Sequence, residues 1–213
     1  MNLKTKFYLS VVLNLLLFGV LASAVYTYRA KLYQRFLTKT DGINIVMFGN
    51  SIVAQGNWIE LLNRTDVANS GLPGRVTYHF LQEINSQVLA KKPKVCFVMG
   101  GINDITVGVS EEATFHNYTK LLEILETNQI QPVVSATLYE QNDAISKAKV
   151  DRLNAYLKSY CKAKQIPFLN PNRYLSDSTG LRKEFAVDKT HLNEKAYQLW
   201  AKDIITVLAQ LKI

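Results

Sequence analysis

Ile45-Val46-Met47-Phe48-Gly49-Asn50-Ser51 is the stretch on which the fold turns. From residue 43 to Phe48 the chain is short, apolar and β-branched, with no polar residue alternating in beyond Asn44. A strand buried on both faces reads this way, and such strands belong to parallel sheets covered by helices. The run ends in a glycine, a small polar residue and a serine. If the strand is parallel, that serine sits at the carboxyl edge of the sheet, where such folds bind their ligands.

Outward from this strand the pattern alternates. Residues 57–63 form a short helix candidate and 66–69 a short strand, followed by the punctuated loop Gly71-Leu72-Pro73-Gly74. A helical period over 76–90 leads to a second buried strand at 94–99, broken by Gly100-Gly101. Ser110 before Glu111 and Glu112 is a helix start, with a capping serine and acids in the first turn. That helix runs to about residue 128. A strand at 132–138, a long amphipathic helix at 142–164, a short strand at 166–169 and a closing helix at 193–211 complete the chain. Strands alternating with helices predict an α/β fold, a parallel sheet with helices on both faces.

The chain of 213 residues suits one domain with a short appendage. The expected division is 1–40 and 41–213. Residues 7–26 carry no charge and have the length of a membrane-crossing helix. Lys4 and Lys6 precede them, and Ala22-Ser23-Ala24 has the composition of a signal-peptide cleavage site, giving a secreted product if cut after Ala24. The apolar part is longer than a typical signal core, so an uncleaved anchor is the favoured reading. Basic residues after the segment outnumber those before it, which argues for a cytoplasmic body. An apolar segment this close to the N-terminus argues for export, and large domains translocate with limited regard for charge. The expectation is an extracytoplasmic body. Residues 27–40 alternate basic with aromatic or apolar residues, and either continue the helix through the headgroup layer or form a solvated linker.

The formal charge of +8 is unevenly placed. Residues 1–40 hold six basic residues and no acidic ones, leaving nineteen basic against seventeen acidic in the body. A nearly neutral body argues against a nucleic-acid partner. Cys96 lies in an apolar run and Cys161 in a helical pattern. Their spacing fits no metal motif, and both read as buried free thiols.

Acyl transfer by a serine needs a base, a carboxylate to hold that base, and donors for the oxyanion. His191 is the candidate base for Ser51. Asp188, three residues earlier, is close enough to hold one imidazole nitrogen. Backbone N–H groups of Ser51 and Gly71 and the side-chain amide of Asn103 are candidate oxyanion donors, with glycine at 71 allowing close approach of main chain to substrate. Each signal alone is weak, since serines after strands, turn glycines and Asp-x-x-His before a helix are commonly caps and turns. Their order and common sheet edge carry the case. His79 and His116 lack comparable polar company and read as structural. Asp104 is a rival carboxylate whose expected role is to hydrogen-bond the loop that aims Asn103. Gln55, Trp58, Arg75 and Tyr139 are expected to line the substrate pocket.

These blocks, Phe48-Gly49-Asn50-Ser51, Asn69-Ser70-Gly71-Leu72-Pro73-Gly74, Gly100-Gly101-Ile102-Asn103-Asp104 and Asp188-Lys189-Thr190-His191-Leu192-Asn193, resemble those of the SGNH hydrolases, the GDSL-type esterases and lipases. The resemblance covers about residues 43–211. It implies a three-layer α/β/α fold with a flavodoxin-like sheet, ester hydrolysis through an acyl-enzyme, no metal and no cofactor, and the roles given above for Ser51, Gly71, Asn103, Asp188 and His191. The departure is Asn50, where the family pattern has Asp. The expected substrate is an acyl ester, including an acetyl ester, of a sugar or lipid. An O-acyltransferase on the same triad and an inactive membrane-tethered binding module are the alternatives.

Overall fold

The computed structural model describes residues 2–37 and 42–213. The chain forms two compact units, Met1–Leu37 and Thr38–Ile213. The first is a single helix, α1 (Leu3–Leu37). Its stretch Lys4–Tyr28 has a mean hydropathy of 2.2 with none of its apolar window buried, so it is long and apolar enough to be a membrane anchor or a signal sequence. The helix continues past Tyr28 to Leu37, which favours the helical reading of that part of the basic segment. Residues 38–41, the rest of that segment and the first residue of the expected turn, lie outside the described residues.

In the second unit β1 (Ile45–Gly49) is buried along its whole length, as its unbroken apolar sequence requires. It pairs in parallel with β2 (Val67–Gly71) on one side and β3 (Val95–Met99) on the other. β4 (Gln131–Ser135) and β5 (Phe168–Leu169) complete a five-stranded sheet in the order β2-β1-β3-β4-β5, the flavodoxin-like order. Alternate residues of the strands feed two apolar cores. Ile45, Met47, Phe97 and Met99 face α3 (Trp58–Leu62) and α9 (Glu194–Leu211). Val46, Phe48, Cys96 and Val98 face α4 (Thr77–Gln87), α6 (Glu111–Thr127) and α7 (Ala144–Lys164). This is the expected three-layer α/β/α architecture. Cys96 and Cys161 are free and buried.

Register places the site. Gly49 of β1 lies opposite Gly71 of β2 and Met99 of β3, so three strands end flush. The order reverses between β1 and β3, where crossover connections part to opposite faces and leave a crevice at the carboxyl ends. Four short elements at this edge lie outside the periodic pattern: α2 (Ser51–Gln55), α5 (Ile102–Val107), α8 (Asn172–Leu175) and a hairpin of β6 (Ser176–Asp177) and β7 (Gly180–Leu181). The expected strand at 132–138 stops at Ser135. Beyond it the main chain of Thr137 is satisfied by side chains instead of a ladder. Its N–H donates to Asn154 Oδ1 (2.8 Å), and its carbonyl accepts from Asn154 Nδ2 (2.9 Å) and Asn172 Nδ2 (2.8 Å).

Candidate active site

Ser51 leaves β1 as the first residue of α2. Ser-Ile-Val-Ala-Gln is a poor helix sequence by propensity. It is held by Asn50, whose Oδ1 accepts from Ile52 N–H (3.0 Å) and whose carbonyl accepts from Ala54 N–H (3.0 Å), and by burial of Ile52 and Val53. As the first helical residue, Ser51 has no intrahelical acceptor for its own N–H. Asn50 is fully buried, and its Nδ2 has no hydrogen-bond partner. An unpaired buried amide costs about 1–3 kcal/mol, and it stands next to Ser51.

Ser51 Oγ lies 2.9 Å from His191 Nε2. His191 Nδ1 lies 2.8 Å from Asp188 Oδ2 and 3.1 Å from Oδ1. The carboxylate also accepts from the backbone N–H groups of Thr190 (2.8 Å) and His191 (2.7 Å). These bonds hold Asp188 down to about pKa 2, the Thr190 N–H contributing most and the His191 ring next, although its side chain is largely exposed. The Asp188–His191 segment is a bend, not a helical turn. It is closed by an antiparallel bridge between Ala186 and Leu192 and by a bond from Val187 N–H to His191 O (2.9 Å).

Asn103 stands in the first turn of α5, after the Gly100-Gly101 break. One N–H of its amide donates to the Arg75 carbonyl (2.9 Å), and the amide carries a second. Beside it Asp104 is fully buried and accepts from the Thr77 N–H (3.1 Å to each oxygen) and hydroxyl (2.5 Å). Asn117 Nδ2 in turn donates to the Thr77 hydroxyl (3.0 Å). Burial pushes the Asp104 carboxyl up, against the pull of its Thr77 bonds. Asp104 thus ties the start of α5 to the start of α4 and holds Asn103 in place.

Gly71 is the last residue of β2. A Cβ on it would lie 2.2 Å from Ala54 N and 2.4 Å from Ala54 Cα, so glycine is needed there for contact with the helix that carries Ser51. The Gly71 N–H donates to Asn69 Oδ1 (3.0 Å). Asn69 Nδ2 bridges to the carbonyls of Ala54 and Gly56, each at 3.0 Å, and so fastens β2 to the end of α2. Asn69 is a further residue of this edge, beyond those expected from the sequence. Its signal is an Asx residue two before a glycine, the signature of an Asx turn.

Of the expected pocket residues, Trp58 does not belong at the site. It is fully buried, its Nε1 donates to Val53 O (2.8 Å), and its ring packs edge-on against Trp200 at 5.0 Å. Its size and apolar ring are used in the core between α3 and α9. Gln55 is exposed at the end of α2. Arg75 is exposed and pairs with Glu83 (3.2 Å). Tyr139 is half-buried, hydrogen-bonded to Asp151 and covered by the Lys147 ammonium 4.6 Å from its ring centre. His79 accepts from the Val76 N–H (3.3 Å) in the first turn of α4, in keeping with a structural role.

A sequence profile of the GDSL-like lipase/acylhydrolase family matches residues 47–199. Among solved structures, the fold is similar to a GDSL-like lipase from Bacteroides thetaiotaomicron, with 20% identity, a TM-score of 0.73, and coverage of 87% of this chain and 98% of that one. It is also similar to an acetylxylan esterase from Geobacillus stearothermophilus, with 14% identity, a TM-score of 0.66, and coverage of 79% and 95%. Among curated proteins, it is 29% identical over 142 residues to an N-acylneuraminate cytidylyltransferase of Streptococcus agalactiae, over 63% of this chain. The chain spans about a third of the length of that relative.

Proposed function

The chain belongs to the GDSL-like lipase/acylhydrolase family, and from that premise we propose that it is a serine esterase that removes an acyl group, in the first instance acetyl, from a sugar hydroxyl. The observation that carries the reading is the unbroken hydrogen-bonded chain from Ser51 Oγ through His191 to Asp188. A serine is a weak nucleophile unless an adjacent base can take its proton, and the base must be held in one tautomer by a third group.

Ser51 Oγ attacks the ester carbonyl carbon while His191 Nε2 takes the hydroxyl proton. Asp188 keeps the other proton on Nδ1 and stabilises the imidazolium. The carbonyl oxygen becomes an oxyanion facing the Ser51 N–H and the second N–H of Asn103. Gly71 contributes its N–H by sharing it with Asn69 Oδ1. Collapse breaks the bond to the sugar oxygen, which leaves with the proton from His191. Water then attacks the acyl-enzyme, His191 takes its proton and returns it to Ser51, and the carboxylic acid departs.

The sugar is suggested by company. One structural neighbour is an acetylxylan esterase, and the curated relative is named for an N-acylated sugar acid. The exposed Gln55 and Arg75 offer polar contacts to a sugar body. We further infer that α1 anchors the protein and that the catalytic unit lies outside the cytoplasm. Digestion of that unit by protease added to spheroplasts is the expected result, and full protection would reject export.

The function is tested with the full-length chain in detergent micelles, on p-nitrophenyl esters of short and long acyl chains and on an acetylated sugar. Turnover that is fastest on acetyl, together with labelling by a fluorophosphonate, is expected of wild type and of neither kind in Ser51→Ala. Equal activity in the two proteins would remove Ser51 from its role. Failure of wild type to react or label would reject the esterase.

A further inference from the structure

Glu140 is one of the few charged side chains buried in the catalytic unit, at 8% exposure. It lies in the connection between β4 and α7. Taking a carboxylate out of water is expensive unless it is paired and hydrogen-bonded. Its partners are two successive residues between Asp188 and His191. Thr190 Oγ1 donates to Glu140 Oε1 (3.0 Å), and Lys189 Nζ stands 3.7 Å from Oε2. The contact is reinforced on both sides. Gln141 N–H donates to Lys189 O (2.8 Å), and Lys189 Nζ also reaches Asp143 Oδ2 (2.9 Å).

Glu140 is itself immobilised from behind. Its carbonyl accepts from Leu181 N–H (3.2 Å), in the β6–β7 hairpin. Gly180 there has φ +119°, and a Cβ on it would lie 2.1 Å from Glu140 O, so only glycine lets the hairpin close on this carbonyl. One residue earlier, Tyr139 N–H donates to Asn172 Oδ1 (3.3 Å), and Asn172 is fastened to Thr137. The main chain of Glu140 is braced, and its carboxylate points at the bend that carries the base.

We propose that Glu140 is a positioning residue, which sets the Asp188–His191 bend at the height where His191 Nε2 meets Ser51 Oγ. The inference rests on the roles proposed above for Asp188 and His191. The side chains of the two residues between them reach across to Glu140 and Asp143 and so anchor the bend. Thr190 uses its N–H on Asp188 and its hydroxyl on Glu140, and therefore links the carboxylate that orients the base to the one that orients the loop. A misplacement on the order of 1 Å in a catalytic group costs up to ~100-fold in rate, so an anchor of this kind is read in kcat and not in substrate affinity.

The test compares wild type, Thr190→Val, Thr190→Ser, Glu140→Gln and Glu140→Ala as full-length chains in detergent micelles, with p-nitrophenyl acetate. Thr190→Val is nearly isosteric and removes only the hydroxyl. It is expected to lower kcat about tenfold with KM within about twofold, and Thr190→Ser to restore it. Glu140→Gln keeps an oxygen for Thr190 and is expected within about threefold of wild type, against a loss of about tenfold or more in Glu140→Ala. Glu140→Ala combined with Thr190→Val should be no slower than Glu140→Ala alone, because both remove one interaction. A second readout does not need turnover: solvent exchange of the His191 Nδ1–H, followed by NMR on 15N-histidine protein, should quicken in Thr190→Val and not in Thr190→Ser. If wild type fails to hydrolyse while this exchange responds as stated, the esterase reading falls and the positioning role stands. If wild type hydrolyses and Thr190→Val matches it in both kcat and exchange, the positioning role is overturned and the esterase stands. Additive losses in the double variant would also overturn it.

Discussion

Ser51 and His191 are 140 residues apart in sequence, and their Oγ and Nε2 atoms are 2.9 Å apart in space. The parallel sheet makes this possible. β1 delivers Ser51 to the carboxyl edge, and the chain after β5 returns to that edge before α9 begins. In the role proposed for it, His191 serves as a base only if Asp188 holds its other nitrogen. Asp188→Asn is therefore expected to lower kcat by ~10²–10⁴-fold. Asp188 is largely exposed and Asn keeps an oxygen for the Thr190 and His191 N–H groups, so the melting temperature should fall by no more than about 2–4 °C. Measuring both in one preparation separates loss of chemistry from loss of fold.

Asn103 has one amide N–H on the Arg75 carbonyl and a second to offer. If the second receives the oxyanion, Asn103→Ala removes an interaction made mainly in the transition state. A fall in kcat of ~10²–10³-fold with little change in KM is expected. A rise in KM alone would mean that Asn103 binds substrate without stabilising the oxyanion.

Why some of this was legible in the chain and some was not follows from range. Residues 45–49 announce a doubly buried strand by their own composition, and the meeting of Ser51, Asp188 and His191 at one edge follows from the order in which the loops must leave such a sheet. α2 was hidden because Ser51–Gln55 forms a helix against propensity, on the strength of the Asn50 cap and the burial of Ile52 and Val53. A bulky aromatic at 58, close to Ser51 in sequence, suits a pocket and a core equally, and only the packing of α9 against α3 decides for the core. The contact of Glu140 with Thr190 depends on where two long loops meet, and no local pattern encodes that. At Gly71 the structure shows a need for glycine that the sequence does not announce: it makes room for Ala54.

That reason has a consequence for Gly71→Ala. The added methyl would lie 2.2–2.7 Å from three atoms of Ala54, two of them backbone, so strand and helix must separate. Overpacking of this kind costs about 1–3 kcal/mol, and for a chain of this size each kcal/mol lowers the melting temperature by about 2–4 °C. Because the displaced helix begins at Ser51, fluorophosphonate labelling should slow as well. Wild-type melting and labelling in Gly71→Ala would mean that the contact is not a constraint.

Asp66, at the start of the turn into β2, tests the electrostatics of the scaffold away from the site. Arg64 grips it with Nε (2.8 Å to Oδ1) and Nη2 (2.7 Å to Oδ2), and Asn44 Nδ2 adds a third bond (2.8 Å). Chiefly because of the Arg64 bonds, the folded carboxyl sits at about pKa 2, below the usual value near 3.9. A depressed carboxylate stabilises the fold fully above its unfolded pKa, and the contribution fades as pH falls through the folded one. Arg64 and Asp66 are part-exposed, so solvent screening limits the pair to about 1 kcal/mol. Asp66→Asn should therefore melt about 2–4 °C below wild type at pH 6. The gap should narrow between about pH 4 and pH 2, where wild type loses the same charge. A gap that is unchanged at pH 2 would assign the loss to packing and not to the ion pair.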